Sequence, residues 1–574
     1  MLKGLLARLW HNARAGASAA DPGRAEGDAR TLIAIDALIG QGDLAAADRA
    51  LADLGPVSAA NTDVAMLRAR LASKRGDQQE AIRQFQLAIA AEPSLAAAHI
   101  ELGRIYAVAR RPDDARACYE RAVLLMPGIA ELHNNLGTAC IDVGRFDDAR
   151  RSFGRALQLR PDFAEARNNL GRACRESGDY AAALDIFRAL PDDFPARVNH
   201  GFVLNDLADF AQAHAVLADC VRDRPDHAAA LCGLGEACFG LGRLDDAEIH
   251  LRASHARDPE SAPVRFALGN IALVRGDFAD GWPLYDARTA LGKFAHHYVR
   301  DIPAWSGEPL PGRTLLVYTE QGYGDVLLFA RFLPLLCAAR ATVVFRCRSA
   351  LARLLAGSGG VDRIVVAEEQ EKINADAAVA LLSLGRVLNV ARSDLPGEIP
   401  YIRAPEQAVI SWRERLAGDS GIRVGLAWAG NSARAHERDR VPPADAYALL
   451  GQVKGLSFYN LQTGYSAAEL TRVPLPLIDY SPELRDFADT AALIANLDLV
   501  ISVDTSVAHL AGAMGKPTLL LYHATPDWRW AIAGADSPWY PTMKIFRRAG
   551  TQWATALADV ARALADFAAA RAVY

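Results

Sequence analysis

The sequence lacks the features that mark several large classes of protein. It has no apolar run of about 18 residues, so neither a membrane-spanning helix nor stable membrane insertion is expected. Its 63 basic residues do not outnumber its 68 acidic residues, which makes nucleic acid a poor candidate partner. Its 44 glycines and 28 prolines represent ordinary usage, which excludes a collagen-like or globally disordered chain.

Cysteine is scarce and is not arranged for metal binding. None of the eight cysteines forms a Cys-x-x-Cys pair, so a structural zinc site is not expected. Cys140 and Cys174 lie 34 residues apart and Cys238 shares their phase in a repeat, which predicts small core residues on helices. Because residues 1–10 are also too short for a complete signal peptide, we expect a cytoplasmic protein.

A repeat with a period of 34 residues, interrupted by one shortened step of 30 residues, runs through the N-terminal half of the chain. Small residues recur where two helices must pack closely, and a proline stops the second helix of most units. One helix pair cannot bury its apolar face alone, so neighbouring pairs must stack. The glycines are Gly103, Gly137, Gly171, Gly201, Gly235 and Gly269, the alanines are Ala115, Ala149, Ala183, Ala213 and Ala247, and the prolines are Pro93, Pro127, Pro161, Pro225 and Pro259.

This pattern resembles the tetratricopeptide repeat family over roughly residues 29–290. The resemblance implies about seven or eight helix pairs in a right-handed superhelix, with a concave surface for a protein or peptide. Asn135, Asn169 and Asn199 share one phase of that surface, and their amides offer a donor and an acceptor to a peptide backbone. A similar asparagine ladder holds the acceptor in protein O-GlcNAc transferases, so these residues are acceptor-binding candidates. The alternative is that they only solvate the groove.

Short apolar strands alternate with helices beyond residue 312, which indicates parallel, doubly wound sheets. The predicted strands are 314–318, 342–345, 361–366 and 378–382, followed by 423–427, 457–461, 497–503 and 517–521, with a final helix at 553–570. Ligands of such sheets bind at the carboxyl ends of the strands. The predicted segments are a flexible leader (1–28), a repeat solenoid (29–294), a linker (295–312) and two Rossmann-like halves (313–405 and 420–574).

The first polar constellation at a strand end is Gly322-Tyr323-Gly324-Asp325. Its glycines permit a tight turn and close backbone approach, and Asp325 begins a helix beside the predicted cleft. Helix capping alone also explains an aspartate at this position.

Two further constellations follow strands of the second set. The segment 504–509 places hydroxyls and backbone N–H groups at a helix start, which is a ready anion site, although capping with a packed histidine explains it equally well. Gly430 and Asn431 form a loop that can approach a phosphate, and Arg440 is a plausible phosphate clamp. The alternative for this second loop is a solvated charged surface.

The order of the segments EQGYGD, AWAGN, YNLQTG, DTSVAH, DWRW and SPWYP resembles GT-B glycosyltransferases. More narrowly, it is similar to bacterial proteins that join tetratricopeptide repeats to a heptosyltransferase-like domain. Flagellin glycosyltransferases of this group share the layout, with repeats that hold flagellin and a GT-B part that uses a nucleotide-activated nonulosonic acid. The expected fold class is therefore an α-solenoid followed by an α/β GT-B fold of two Rossmann-like domains.

The resemblance implies a metal-independent, inverting glycosyltransferase whose co-substrate is a nucleotide-sugar and which needs no other cofactor. Asp325 matches the general base of heptosyltransferases. No metal-binding DxD-type motif lies near the candidate site, and Val441 stands where the family often has a phosphate-binding serine. The donor-binding candidates are Gly322, Gly324, Gly430, Asn431, Arg440, Gln462, Thr463, Asp504, Thr505, Ser506 and His509.

The acceptor expected from the resemblance is Ser or Thr of a protein in the repeat groove, with flagellin and a CMP-activated sugar as the specific case. Two alternatives stay open. One is a catalytically inactive repeat adaptor, and the other is a heptosyltransferase-like enzyme that acts on a lipid-linked saccharide. The aromatic residues of DWRW and SPWYP either contact the sugar or form core.

Overall fold

The computed structural model divides the chain into two compact units, residues 1–203 and 204–574. This boundary lies inside the repeat array, and the domain limits given above stay predictions. The residues that the structure describes are 22–54, 62–291, 299, 301–369, 371–395, 398–430, 441–464, 470–530, 534–550 and 552–572.

The first unit consists of helix pairs joined by short turns. Residues 22–28 were predicted as part of the flexible leader, but they form the first turns of α1. Proline at the first position of a helix favours helix initiation. The helices are α1 (Pro22–Gln41), α2 (Leu44–Asp53), α3 (Thr62–Arg75), α4 (Gln78–Ala91), α5 (Ala96–Val108), α6 (Pro112–Leu125), α7 (Ala130–Asp142), α8 (Phe146–Leu159), α9 (Ala164–Glu176), α10 (Tyr180–Arg188) and α11 (Phe194–Asp206), which continues past the unit boundary.

A glycine and an aromatic ring interlock within these pairs. A Cβ on Gly137 of α7 would lie 2.6 Å from the ring of Phe153 in α8, and a Cβ on Gly171 of α9 would lie 2.6 Å from the ring of Phe187 in α10. Gly144, in the turn between α7 and α8, has a φ of +74°, which glycine adopts without strain. The helix pairs predicted from the glycine spacing are therefore confirmed.

The second unit begins with the remaining repeat helices and continues into two sheets in which all pairings between the named strands are parallel. The repeat helices are α12 (Phe210–Asp223), α13 (Ala228–Gly240), α14 (Leu244–Arg257), α15 (Ala262–Arg275) and α16 (Phe278–Tyr285). The first sheet and its helices are β1 (Thr314–Tyr318), α17 (Tyr323–Phe329), β2 (Thr342–Cys347), α18 (Ser349–Leu355), β3 (Arg363–Val366), β4 (Ala377–Ala380), α19 (Leu384–Val387) and α20 (Glu406–Arg415). The second sheet and its helices are β5 (Ile422–Ala427), β6 (Leu456–Asn460), β7 (Leu477–Ile478), α21 (Phe487–Ala495), β8 (Leu499–Val503), α22 (Ser506–Ala513), β9 (Thr518–Tyr522), β10 (Met543–Arg547) and α23 (Ala554–Ala572).

The strand orders are β3-β2-β1-β4 in the first sheet and β10-β9-β8-β5-β6-β7 in the second. In the first sheet Leu315 of β1 pairs with Val343 of β2 and Ala377 of β4, so β1 is an interior strand. In the second sheet β5 lies between β6 and β8. Chain order reverses at these strands, and ligands of doubly wound sheets bind at such points. The predicted fold class is confirmed.

Two strands were not predicted from the sequence. β7 is only two residues long, and β10 alternates buried Met543 and Ile545 with exposed Lys544 at the edge of the sheet. Both lack the continuous apolar run that marks a strand buried on both faces.

The described part of the predicted linker is packed against the first sheet. The backbone N–H of Trp305 donates to the carbonyl oxygen of Ala378 in β4 at 2.8 Å, and the side chains of Trp305 and Leu310 are buried. These residues therefore extend the core of the second unit.

Most of the cysteines lie in the core. The eight cysteines are free thiols, and six of them are buried. None of the helices described is both long enough and apolar enough to cross a membrane.

Candidate functional site

An ion pair joins the two Rossmann-like halves at the end of β1. Asp325 lies in the first turn of α17, and its Oδ1 accepts hydrogen bonds from Nε and Nη2 of Arg529 at 2.9 and 2.6 Å. Nη1 of Arg529 donates to Asp527 Oδ1 at 3.0 Å. Burial alone would lower the pKa of Arg529, but the two carboxylates outweigh it and raise this pKa well above its ordinary value. Arg529 therefore stays charged and orients the carboxylate of Asp325.

The second oxygen of Asp325 is available for chemistry. The side chain is 16% exposed, and Oδ2 accepts no hydrogen bond from the residues that the structure describes. Gly322 precedes α17, and a Cβ there would lie 3.6 Å from Oδ2. The turn predicted to place Asp325 at a strand end is therefore present, while its catalytic role stays a prediction.

His509 is buried between the two halves. Its Nδ1 lies 2.9 Å from the hydroxyl of Tyr540, and its ring centroid is 4.6 Å from that of Trp530. A Cβ on Gly324 would lie 2.7 Å from His509 Cδ2, so the close approach of these segments requires glycine. Burial, reinforced by the positive charge of Arg529, lowers the pKa of His509 to about 3. The imidazole is thus neutral and contributes hydrogen bonding and packing rather than positive charge.

The donor-loop candidates after β8 are held by neighbouring side chains. Asp504 Oδ1 accepts a hydrogen bond from Nε1 of Trp530 at 3.0 Å. The hydroxyl of Thr505 lies 3.1 Å from that of Ser502. Ser506 is the first residue of α22, a buried helix whose N-terminus is at the carboxyl end of an interior strand. Free backbone N–H groups at such a terminus favour an anion.

The candidates after β5 and β6 are partly described. The backbone N–H of Ala429, next to Gly430, donates to Gln462 Oε1 at 3.2 Å, so the two loops touch, and Thr463 is exposed beside them. Asn431 and Arg440 lie outside the described residues, so their predicted roles are not examined by the structure. Within the described residues, no group of three or more histidine, cysteine, aspartate or glutamate side chains is placed to hold a metal ion. Metal independence stays a prediction.

Two of the three predicted acceptor-binding asparagines, Asn169 and Asn199, form bonds between helices of the first unit. Asn169 Nδ2 donates to Asn134 Oδ1 at 3.0 Å, and Asn199 Nδ2 donates to Asn168 Oδ1 at 2.9 Å. These bonds connect α7 with α9 and α9 with α11. Asn135 is half-buried one position beyond Asn134. The amides therefore support the stacking of the repeats, and a contact with acceptor stays a prediction.

Family comparisons match both parts of the chain. Tetratricopeptide repeat models match residues 94–162, 134–197 and 204–262. The model of glycosyltransferase family 9 (heptosyltransferase) matches residues 482–558. Tetratricopeptide repeat sequence is therefore followed in this chain by a segment that is similar to family 9 glycosyltransferases. The family 9 match includes Asp504, His509 and Arg529 but not Asp325.

The relatives are distant from this protein. Protein FlbA of Caulobacter vibrioides is 28% identical over 404 residues, an alignment that covers 64% of this chain and 66% of that protein. A tetratricopeptide repeat protein from Parabacteroides merdae is 16% identical, with a TM-score of 0.37 over 40% of this chain and 92% of that one. Yeast Tom70 is 16% identical, with a TM-score of 0.33 over 43% of this chain and 55% of that one. Structural likenesses this low carry no functional argument.

Sequence reasoning missed the charged residues that surround Asp325 in the candidate site. Arg529 stands between two tryptophans in DWRW. The sequence analysis predicted a role for the aromatic residues of this segment and none for the arginine. Glu320 and Arg288 form a second ion pair that is buried. The sequence feature that could have indicated these ion pairs is a charged residue inside an apolar segment, because a buried charge needs a partner. The aromatic side chains of DWRW and SPWYP are core, since Trp528, Trp530, Trp539 and Tyr540 are all at most 2% exposed.

Proposed function

We propose that this protein transfers a sugar from a nucleotide-sugar to a Ser or Thr hydroxyl of a protein held by its repeats. The sequence resemblance favours flagellin as the acceptor and a CMP-activated nonulosonic acid as the donor. The observation that supports this proposal is the carboxylate of Asp325. Its Oδ1 is held by Arg529 from the opposite half, while its Oδ2 accepts no hydrogen bond from the described residues. A carboxylate in this state can accept a proton in a cleft between two Rossmann-like halves.

The proposed reaction is a single displacement at the anomeric carbon. Asp325 Oδ2 accepts the proton of the acceptor hydroxyl while that oxygen forms the new bond to the sugar. The bond from the sugar to the phosphate oxygen breaks, and the nucleotide leaves with the electron pair. Asp325 belongs to the first half and the candidate donor loops after β5, β6 and β8 belong to the second, so acceptor and leaving group approach from different sides. This arrangement favours inversion.

The developing negative charge on the leaving phosphate needs compensation. Backbone N–H groups at the start of α22 offer it without a metal ion, and Ser506 adds a hydroxyl at the same place. His509 is neutral, so we assign it the role of holding the two halves together rather than that of binding phosphate through charge. Arg440 is the basic side chain proposed to complete the site.

Calorimetric titration with CMP, UDP, ADP and GDP is the first test, followed by transfer assays with purified flagellin. We expect binding of CMP. Asp325→Asn should reduce transfer by at least ~100-fold, because positioned general bases contribute on the order of 10²–10⁴-fold, and nucleotide affinity should persist. Asp376→Asn is a matched control, because Asp376 Oδ2 accepts from the backbone of Thr314 at the opposite end of β1, and it should retain transfer.

The outcomes separate the alternatives. A chain that binds none of these nucleotides, even with flagellin present, is an adaptor. Transfer to a lipid-linked saccharide and not to protein identifies a heptosyltransferase-like enzyme. Asn135→Ala tests the acceptor side, since it should raise the KM for flagellin while donor hydrolysis is unchanged.

A further inference from the structure

A fully buried ion pair lies beside the proposed catalytic loop, and the proposed chemistry does not use it. Arg288 Nη2 donates to Glu320 Oε1 at 2.9 Å, and both side chains are 0% exposed. Moving two charges out of water is costly, and pairing offsets only part of that cost. Such a pair is therefore weak evidence for stability, and its position becomes the informative feature.

The two partners come from different parts of the second unit. Arg288 lies in the 3₁₀ turn Asp286–Ala290, which directly follows the last repeat helix, α16. Glu320 lies two residues after β1 and five residues before Asp325. The last repeat thus supplies the cation that fixes the start of the catalytic loop.

Glu320 is oriented by hydrogen bonds from two groups, the side chain of Arg288 and one backbone N–H. Oε1 of Glu320 also accepts from the N–H of Leu382 at 3.3 Å, while Oε2 has no hydrogen-bond partner among the described residues. Arg288 Nη2 additionally donates to Ser383 Oγ at 3.0 Å, and Ser383 donates to Asp286 Oδ1 at 2.9 Å. The turn after β4 therefore braces the same arginine.

The last repeat reaches Asp325 by a second route. The rings of Trp282 and Tyr285 pack edge-on against Trp528, with centroids 5.5 and 5.9 Å away. The guanidinium carbon of Arg529 lies 4.3 Å from the ring centroid of Trp528, and Arg529 holds Asp325. One helix pair thus supports both the loop that carries the carboxylate and the arginine that orients it.

We propose that Arg288 is a positioning residue for Asp325, acting through Glu320 to hold the loop 321–325 in its productive conformation. The inference rests on the proposed glycosyl transfer and deepens it. The last repeat is then a component of the catalytic site as well as part of the acceptor-binding array. Truncations that remove residues 262–290 would disturb chemistry as well as acceptor binding.

The test uses Arg288→Met, Arg288→Lys and Glu320→Gln in the full chain. We expect Arg288→Met to lower kcat by roughly 10–100-fold, as small misplacements of reacting groups do, with donor KM and nucleotide affinity within about twofold. Arg288→Lys should recover part of kcat, because an ammonium group can still donate to Glu320. Asp36→Asn is the control, since it breaks the ion pair of buried Asp36 with half-buried Arg70 in the first unit and should leave kcat unchanged.

Each outcome of this test either supports or overturns the positioning role of Arg288. Folding is judged by circular dichroism and tryptophan fluorescence, and if Arg288→Met fails to fold, Arg288→Lys and Glu320→Gln provide the comparison. A folded variant with unchanged kcat overturns the positioning role alone. A parallel loss of nucleotide affinity and kcat indicates general structural damage and overturns it as well. A wild-type chain without any transfer activity overturns both this role and the proposed function.

Discussion

The repeats of the first unit and the last repeat share one pattern but pack against different partners. In the first unit the core is divided among small clusters, one of which contains Cys140, Ala149, Phe153 and Ala173. In the last repeat Phe278, Trp282 and Tyr285 belong to the same core as β1, α17 and the C-terminal tryptophans. The spacing of small residues specifies a helix pair, and the large side chains determine what the pair packs against.

The aromatic residues of α16 are accommodated by glycines on both sides. A Cβ on Gly281 would lie 2.7 Å from Leu273 Cδ2, and a Cβ on Gly385 would lie 2.8 Å from the indole of Trp282. Nε1 of Trp282 donates to the carbonyl oxygen of Val390 at 3.0 Å. The last repeat is therefore held by close packing and a directed hydrogen bond to the first Rossmann-like half.

The largest expected contrast is between Phe153→Ala and Trp282→Ala. Both remove a large buried ring and should cost about 3–5 kcal/mol of unfolding free energy. Only Trp282→Ala should also weaken nucleotide binding and donor hydrolysis, because Trp282 contacts Trp528 beside Arg529. Urea unfolding and nucleotide titration measure the two effects. Equal loss of nucleotide affinity in both variants would contradict the distinction between these repeats.

A smaller contrast is expected between Gly137→Ala and Gly269→Ala. The new Cβ at position 137 would meet a ring of Phe153 that can rotate, at 2.6 Å, and overpacking of this kind costs about 1–3 kcal/mol. At position 269 the Cβ would lie 2.4 Å from the backbone nitrogen of Tyr285, which cannot move alone. Gly269→Ala should therefore be more destabilising and should also reduce transfer. Thermal unfolding and transfer assays compare the two variants, and the reverse order of stability would refute this view.

A third contrast, which appears only when the pH is changed, is a dependence of stability on pH in the core of the second unit. Because His509 has a pKa of about 3 when folded and near 6.5 when unfolded, the unfolded chain binds the extra proton between these values. The contribution of His509 is complete above pH ~6.5 and is lost at about 1.4 kcal/mol per pH unit as the pH falls toward 3. Tryptophan fluorescence during urea unfolding at pH 7.5 and 5.0 should show it. His509→Gln removes the titrating imidazole, so an equal pH effect in wild type and variant would exclude His509 as its source.

Much of the architecture follows from local patterns. The 34-residue spacing of glycine and alanine predicts the helix pairs because each small residue admits a neighbouring side chain. Eight strands were placed within a few residues because each is a short apolar run between turns. The edge strand β10 escaped prediction, since Lys544 breaks the run on its exposed face.

The candidate site was predictable only in part. Asp325 and the segment 504–509 were found because they follow apolar strands directly. Arg529 and Arg288 were not, since their partners lie 204 and 32 residues away in sequence. A buried guanidinium indicates that a partner exists without indicating which one.

The sequence by itself therefore determined the repeat, the two parallel sheets and the strand ends at which polar residues gather. These properties depend on contacts between residues close in the chain and on the burial of regular elements. Tertiary structure alone decided that Arg529 orients Asp325 across the two halves, that His509 is neutral, and that the last repeat packs into the same core as β1 and α17. Ion pairs, desolvation and ring packing depend on distances between segments far apart in sequence, and folding sets those distances.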